Sequence, residues 1–103
     1  MKEPGSKERY YLSRISNSLK PSIRVGKFGL TAGVISAIDE LLESRELIKI
    51  KFIDFKDEKG EIARNIAEKT GSFLVRIIGN IAILYRESKN PEKREISINL
   101  RTI

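Results

Sequence analysis

Leu12, Ile15 and Leu19 recur at helical spacing with Tyr11 beside them, and the pattern predicts a helix over residues 6–19. Ser6 stands in the N-cap position. Pro21 ends the helix, because the residue before a proline avoids helical backbone angles. Residues 22–25 then alternate as a short strand, with Ile23 and Val25 to one face and Ser22 and Arg24 to the other. A turn bracketed by glycines follows at 26–29. Thr31 is the expected N-cap of a second helix, with Leu30 and Ile35 placed to form a hydrophobic staple. Its stripe of Val34, Ile35, Ile38, Leu41 and Leu42 is apolar, and Asp39, Glu40 and Glu43 lie on the other side.

Residues 47–53 read as a second strand, in which Ile48, Ile50 and Phe52 alternate with Lys49, Lys51 and Ile53. A third helix is predicted over 57–70. Ile62, Ala63, Ile66 and Ala67 form its inner face, and Gly71 sits at the position that terminates helices. Asp54 and Asp57 fit its capping region better than a metal site. Gly60 sits awkwardly near its start. Residues 72–78 and 81–86 are two more strands, joined at Gly79-Asn80 by a two-residue hairpin. The order is α-β-α-β-α-β-β: an α/β chain with a mixed four-stranded sheet packed by three helices. Residues 87–94 are polar, contain Pro91, and read as a linker. Ile96, Ile98 and Leu100 then alternate with polar residues. That predicts an extra edge strand over 95–101, or else a contact with a partner protein or a second copy.

At 103 residues the chain is one domain's worth, and 40% hydrophobic against 33% charged residues is a composition that folds. It has no cysteine and no histidine, which removes disulfides, thiolate nucleophiles, the usual zinc ligands and the commonest general base. No apolar run approaches the ~18 residues of a membrane span and no leader pattern opens the chain, so a cytoplasmic protein is expected. The net charge of +6 is unevenly placed: +5 over residues 1–30, −2 over 31–71 and +3 over 72–103. If the ends meet in the fold, one face is positive, as a polyanion partner requires.

The turn Gly26-Lys27-Phe28-Gly29 is where such a partner fits best. Glycines permit positive φ and close approach. Successive N–H groups in a turn, together with the amino end of the following helix, attract an anion. Lys27 adds charge. Phe28 either stacks on a base or braces the loop. Lys20 and Arg24 flank the loop, Lys49 and Lys51 share a strand face that would border it, and Arg76 and Arg86 extend the surface. On spacing alone, an unliganded strand-to-helix turn with solvated lysines remains the alternative. The phosphate-binding loop of nucleotide hydrolases and the dinucleotide fingerprint both need glycine spacings that are absent. Tyr10 and Tyr85 are candidates for base stacking, against a half-buried structural role. Tyr11 is expected in the core.

Read together, Arg9-Tyr10-Tyr11-Leu12, Leu19-Lys20-Pro21, Val25-Gly26-Lys27-Phe28-Gly29-Leu30-Thr31, Ile38-Asp39 and Glu46-Leu47-Ile48-Lys49-Ile50-Lys51 resemble the CRM domain. This is the RNA-binding module of chloroplast splicing and ribosome maturation factors. Ile62-Ala63, Thr70-Gly71, Leu74-Val75, Ile78-Gly79 and Leu84-Tyr85-Arg86 continue the resemblance, which is closest to the stand-alone prokaryotic YhbY-like members. It implies a fold similar to the C-terminal domain of a bacterial translation initiation factor. It also implies RNA binding through the glycine loop, and association with ribosomal RNA or large-subunit precursors. The division it implies is a CRM-like domain over 1–86 and a tail over 87–103 about which the family is silent.

The expected function is therefore a non-enzymatic RNA-binding protein without a cofactor. Its expected contacts are Gly26, Lys27, Phe28, Gly29, Lys20, Arg24, Lys49, Lys51 and Arg86. A protein that coats duplex DNA is the competing reading. An enzyme has the least support, since nothing pairs the lysines, tyrosines or carboxylates for catalysis.

Overall fold

In the computed structural model, which describes residues 3–103, helix α1 (Ser6–Ser16) precedes strand β1 (Ile23–Val25), helix α2 (Ala32–Arg45) and strand β2 (Leu47–Phe52). Helix α3 (Lys59–Thr70), strands β3 (Phe73–Ile78) and β4 (Ile81–Tyr85) and a short helix α4 (Ile96–Leu100) complete the chain. The sheet order is β1-β2-β4-β3. β1 and β2 run parallel, as the α2 crossover demands, and the β2–β4 and β3–β4 pairs are antiparallel. Gly79 supplies the positive φ (57°) that opens the β3–β4 hairpin. This is the predicted α/β architecture with a mixed four-stranded sheet.

Each sheet face has its own core. Val25, Ile48, Ile50, Phe52, Ala82 and Leu84 pack with Ile38 and Leu42 of α2 and Ala63 and Ile66 of α3. On the other face Leu47, Val75, Ile83 and Tyr85 pack with Leu12 of α1 and Leu100 of α4. Tyr11 is partly buried against that second core, as expected. Strand alternation explains the split: Leu47, Lys49 and Lys51 share the α1 side, and their neighbours fill the core beneath α2 and α3. In β3 a bulge between Leu74 and Arg76 opposes two residues to Ile83. Leu74 and Ile77 therefore both reach the α2/α3 core, and Val75 and Ile78 both fall on the α1 side.

The ends of the chain differ from expectation. Helix α1 is capped from Gly5, whose N–H donates to Glu8 Oε1 (3.0 Å), rather than from Ser6. It stops at Ser16, where the Ser16 and Ser18 hydroxyls take the carbonyls of Ser13 and Ile15. Leu19 is left partly exposed. The tail makes no edge strand. Ile96 and Leu100 lie one turn apart and share a side that faces the second core, while Ile98 remains exposed. The carboxylate of Glu46 accepts the N–H groups of Glu95 (2.9 Å) and Ser97 (3.1 Å), two donors that an emerging helix leaves free. A period of two seen in the sequence is thus overridden by one buried acceptor. The tail's Ile96 and Leu100 are used by this chain's own core, so they are not offered to a partner.

Candidate nucleic-acid interface

The glycine-bracketed turn lies at the carboxyl end of β1. The Gly29 N–H donates to the Gly26 carbonyl (2.9 Å), which closes a four-residue bend with Lys27 and Phe28 at its corners. Of these four residues only Gly29 has positive φ (64°). A Cβ there would stand 3.3 Å from the Phe55 ring, so the bend rests on Phe55. A Cβ at Gly26 would meet nothing within 4 Å. Gly29 is thus required by the backbone, whereas Gly26 leaves open space. Gly29→Ala is therefore expected to cost about 1–2 kcal/mol, from left-handed strain and displacement of the ring. Gly26→Ala should be close to neutral, since it restricts mainly the unfolded chain. Paired thermal unfolding curves check this, and equal losses would contradict the assignment.

The turn runs directly into α2. Thr31 accepts the Val34 N–H (3.1 Å) as its cap, and Leu30 and Ile35 both pack on the core as the staple predicts. No hydrogen bond among the described residues uses the N–H groups of Lys27 and Phe28, or those of Ala32 and Gly33 in the first helical turn. No acidic residue occupies that turn, so the positive end of the helix dipole is not neutralised from within. Phe28 is 80% exposed, and Lys27 Nζ lies 5.1 Å from its ring centre. Phe28 therefore presents its ring to solvent, and Phe55 does the bracing. Nothing in the hydrophobic pattern marked Phe55 for this. It acts from a left-handed position (φ 57°) just past β2.

Arg24 and Lys51 are register partners on the α1 side of the sheet, next to the turn, and both are exposed. Lys49 lies on the same face but further from the turn, and its Nζ donates to the Leu19 carbonyl (3.1 Å). Lys20 is not beside the turn. It lies beyond the opposite end of β1, in a cleft with Arg45 and Lys93, because three extended residues intervene. Among the described residues none of Lys20, Arg24, Lys27, Lys49 and Lys51 forms an ion pair. On the flank held by Phe55 the charge reverses: Asp54, Asp57 and Glu58 line a shallow cleft with Lys56. Neither aspartate caps α3, whose N-cap residue is Glu58 and makes no side-chain cap bond.

Arg86 does not belong to this surface. It is buried, and its Nη1 donates to Asp39 Oδ1 (2.5 Å) and to the Thr70 carbonyl (2.7 Å). Its Nη2 donates to the Asp39 carbonyl (3.1 Å). Polar type and position in the chain suggested an exposed cation. The fold instead directs this side chain into the junction of α2, α3 and β4. Tyr85 is likewise buried, and burial, with the negative charges of Glu46 and Glu87 nearby, pushes its hydroxyl up to about 12. It therefore offers no ring for stacking. Tyr10 is 72% exposed on α1.

A mixed four-stranded sheet with a glycine-bracketed turn feeding a helix amino end, on a chain lacking histidine and cysteine, describes a small α/β domain whose turn leaves main-chain N–H groups unused among the described residues. More particularly, the chain belongs to the CRS1/YhbY (CRM) domain family, whose model matches residues 5–86. It is 35% identical over 91 residues to YqeI of Bacillus subtilis, named a probable RNA-binding protein, covering 87% of this chain and 95% of that one. An RNA-binding protein of Haemophilus influenzae is 34% identical over 85 residues, covering 82% of this chain and 86% of its own length. The solution structure of the hypothetical protein SAV1595 from Staphylococcus aureus superposes with a TM-score of 0.76 at 36% identity, over 90% of this chain and 98% of that one.

Proposed function

We propose that this chain is a non-enzymatic, cytoplasmic RNA-binding protein that holds a sugar-phosphate backbone against residues 26–29 and the amino end of α2. The carrying observation is the group of unused N–H donors at Lys27, Phe28, Ala32 and Gly33, beside a Gly26 that leaves room for close approach. Arg24, Lys27 and Lys51 supply unpaired charge next to those donors, and Lys49 adds to it across the same face. The names of the relatives support RNA as the polyanion. Ribosomal RNA within large-subunit precursors is the proposed target.

Gly26→Asp tests the site, because its Cβ has space while its carboxylate repels a phosphate. RNA affinity should fall by about 30-fold or more with the circular dichroism spectrum unchanged. With three to five phosphates neutralised, log K against log salt should slope by about −2 to −4. Retained binding by the folded variant would move the site elsewhere. In cells, the crosslinked RNA should be predominantly ribosomal and the protein should sediment with large-subunit precursors. Preferential capture of duplex DNA over structured RNA in one buffer would contradict the reading.

A further inference from the structure

The second sheet face is only half covered. Register aligns two rows of side chains across it. One row is Arg24, Lys51, Ile81 and Ile78, and the next contains Lys49, Ile83 and Arg76. Helix α1 packs over Leu47, Ile83, Val75 and Tyr85, so Ile83 is sealed. The first row lies beyond the helix: Arg24 and Lys51 are exposed, Ile78 is 42% exposed and Ile81 is half-buried. Neither row contains a carboxylate. The β3 bulge brings Arg76 opposite Ile83, and its Nη1 reaches the Ser13 hydroxyl of α1 (3.3 Å) rather than an acidic partner.

We infer that this open half-face carries a single RNA strand from the glycine turn across the sheet to Arg76; the inference rests on the proposed function and extends it. Three interstrand spacings make that path about 14 Å wide. The Ile78 and Ile81 side chains form an apolar floor that accepts the faces of unpaired bases or riboses. Arg24, Lys51 and Arg76 stand along it to meet phosphates. A duplex keeps its bases stacked inside and offers nothing to an apolar floor. Direction follows from charge: Asp54, Asp57 and Glu58 line the flank that holds Gly29 through Phe55, which repels a strand leaving that way. Among the described residues, the charged side chains of the sheet side, Arg24, Lys51, Lys49 and Arg76, form no ion pair.

The probe is a uridine oligomer of about ten nucleotides, titrated at several salt concentrations against the full chain. Arg76→Ala should weaken binding about fivefold and reduce the salt slope by about 0.7, the value for one lost phosphate contact on a single strand. Ile78→Glu, at an exposed position, should weaken it about tenfold by placing a carboxylate on the path. Ser13→Ala removes the hydrogen bond to Arg76 but keeps the charge, so it should bind as the parent does. A Ser13→Ala loss equal to that of Arg76→Ala would make Arg76 a brace for α1 and overturn its contact role. If Arg76→Ala and Ile78→Glu bind normally while Gly26→Asp does not, the path is wrong and the turn stands. A blunt RNA duplex of similar length that binds more tightly, with the same dependence on Ile78, would overturn the single-strand assignment.

Discussion

Replacing Arg86 with methionine should lower the unfolding free energy by about 3 kcal/mol and leave RNA affinity of the folded protein unchanged. The guanidinium closes the junction where α2, the end of α3 and β4 meet. Its Nη1 satisfies both Asp39 Oδ1 and the Thr70 carbonyl, the latter among the last acceptors of α3, which the helix itself cannot pair. Its Nη2 satisfies the Asp39 main-chain carbonyl. Asp39 is half-exposed and water can replace part of what it loses, so most of the cost comes from the buried carbonyl and the desolvated cation's site. In a domain of this size that loss lowers the melting temperature by about 12–20 °C. Arg86→Lys should recover only part of the loss, because a single ammonium can stand in for Nη1 but leaves the Asp39 carbonyl that Nη2 holds without its donor. Reduced RNA affinity measured well below the melting temperature would return Arg86 to the interface and contradict its structural assignment.

Glu46→Ala should cost about 3 kcal/mol and release the tail. The carboxylate is wholly buried, accepting the N–H of Ser88 through Oε2 (2.8 Å) and those of Glu95 and Ser97 through Oε1. Removing it strands the buried N–H groups of Ser88 and Ser97 and the part-buried one of Glu95, the buried ones each worth about 1 kcal/mol or more. Glu46→Gly should lose about 1 kcal/mol less, since residue 46 has φ 66° and glycine relieves that strain. Amide hydrogen exchange should speed up at Glu95 and Ser97 before it does in the sheet.

The same carboxylate makes tail docking pH-dependent. Burial by itself pushes Glu46 up, but the surrounding hydrogen bonds outweigh it and hold the group below the ordinary carboxylate range. Ser97 Oγ, although adjacent, makes no hydrogen bond of acceptable geometry, so the three amides carry the lowering. A depressed folded value stabilises at pH above the unfolded carboxylate range, and that stability is lost as pH falls through the folded value. Acid titration should therefore loosen residues 87–103 first. Glu46→Ala should remove that early step, and an unchanged acid profile would refute the linkage.

Asp39, Glu43 and Glu46 fall at i, i+4 and i+7 and bind, in turn, Arg86, the Ser88 hydroxyl with the Lys89 N–H, and three tail amides. From the sequence Asp39 and Glu43 were placed on the side of α2 away from its apolar stripe, and Glu46 appeared only in a stretch that resembles the CRM domain. The helical spacing was visible, and the partners, more than forty residues away, were not. Arg86 failed as a surface residue for the same reason, and Tyr85 takes the structural role rather than the stacking one.

The four strands and the first three helices, the hairpin at Gly79-Asn80, the capping of α2 by Thr31 and the bend at 26–29 were legible in the chain, because each depends on residues within a few positions of one another. Local sterics, capping and periodicity act before any long-range contact forms. Which cations gather at the bend depended on strand order and register: Lys51 was brought beside Arg24, Lys20 was set at the far end of β1, and Arg86 was turned inward. The bulge that brings Arg76 onto the open face, and the conversion of the tail from an apparent strand to a helix, came from partners distant along the chain. Those choices are made by whichever packing buries the apolar side chains while pairing most of the enclosed polar groups, a condition no short segment contains.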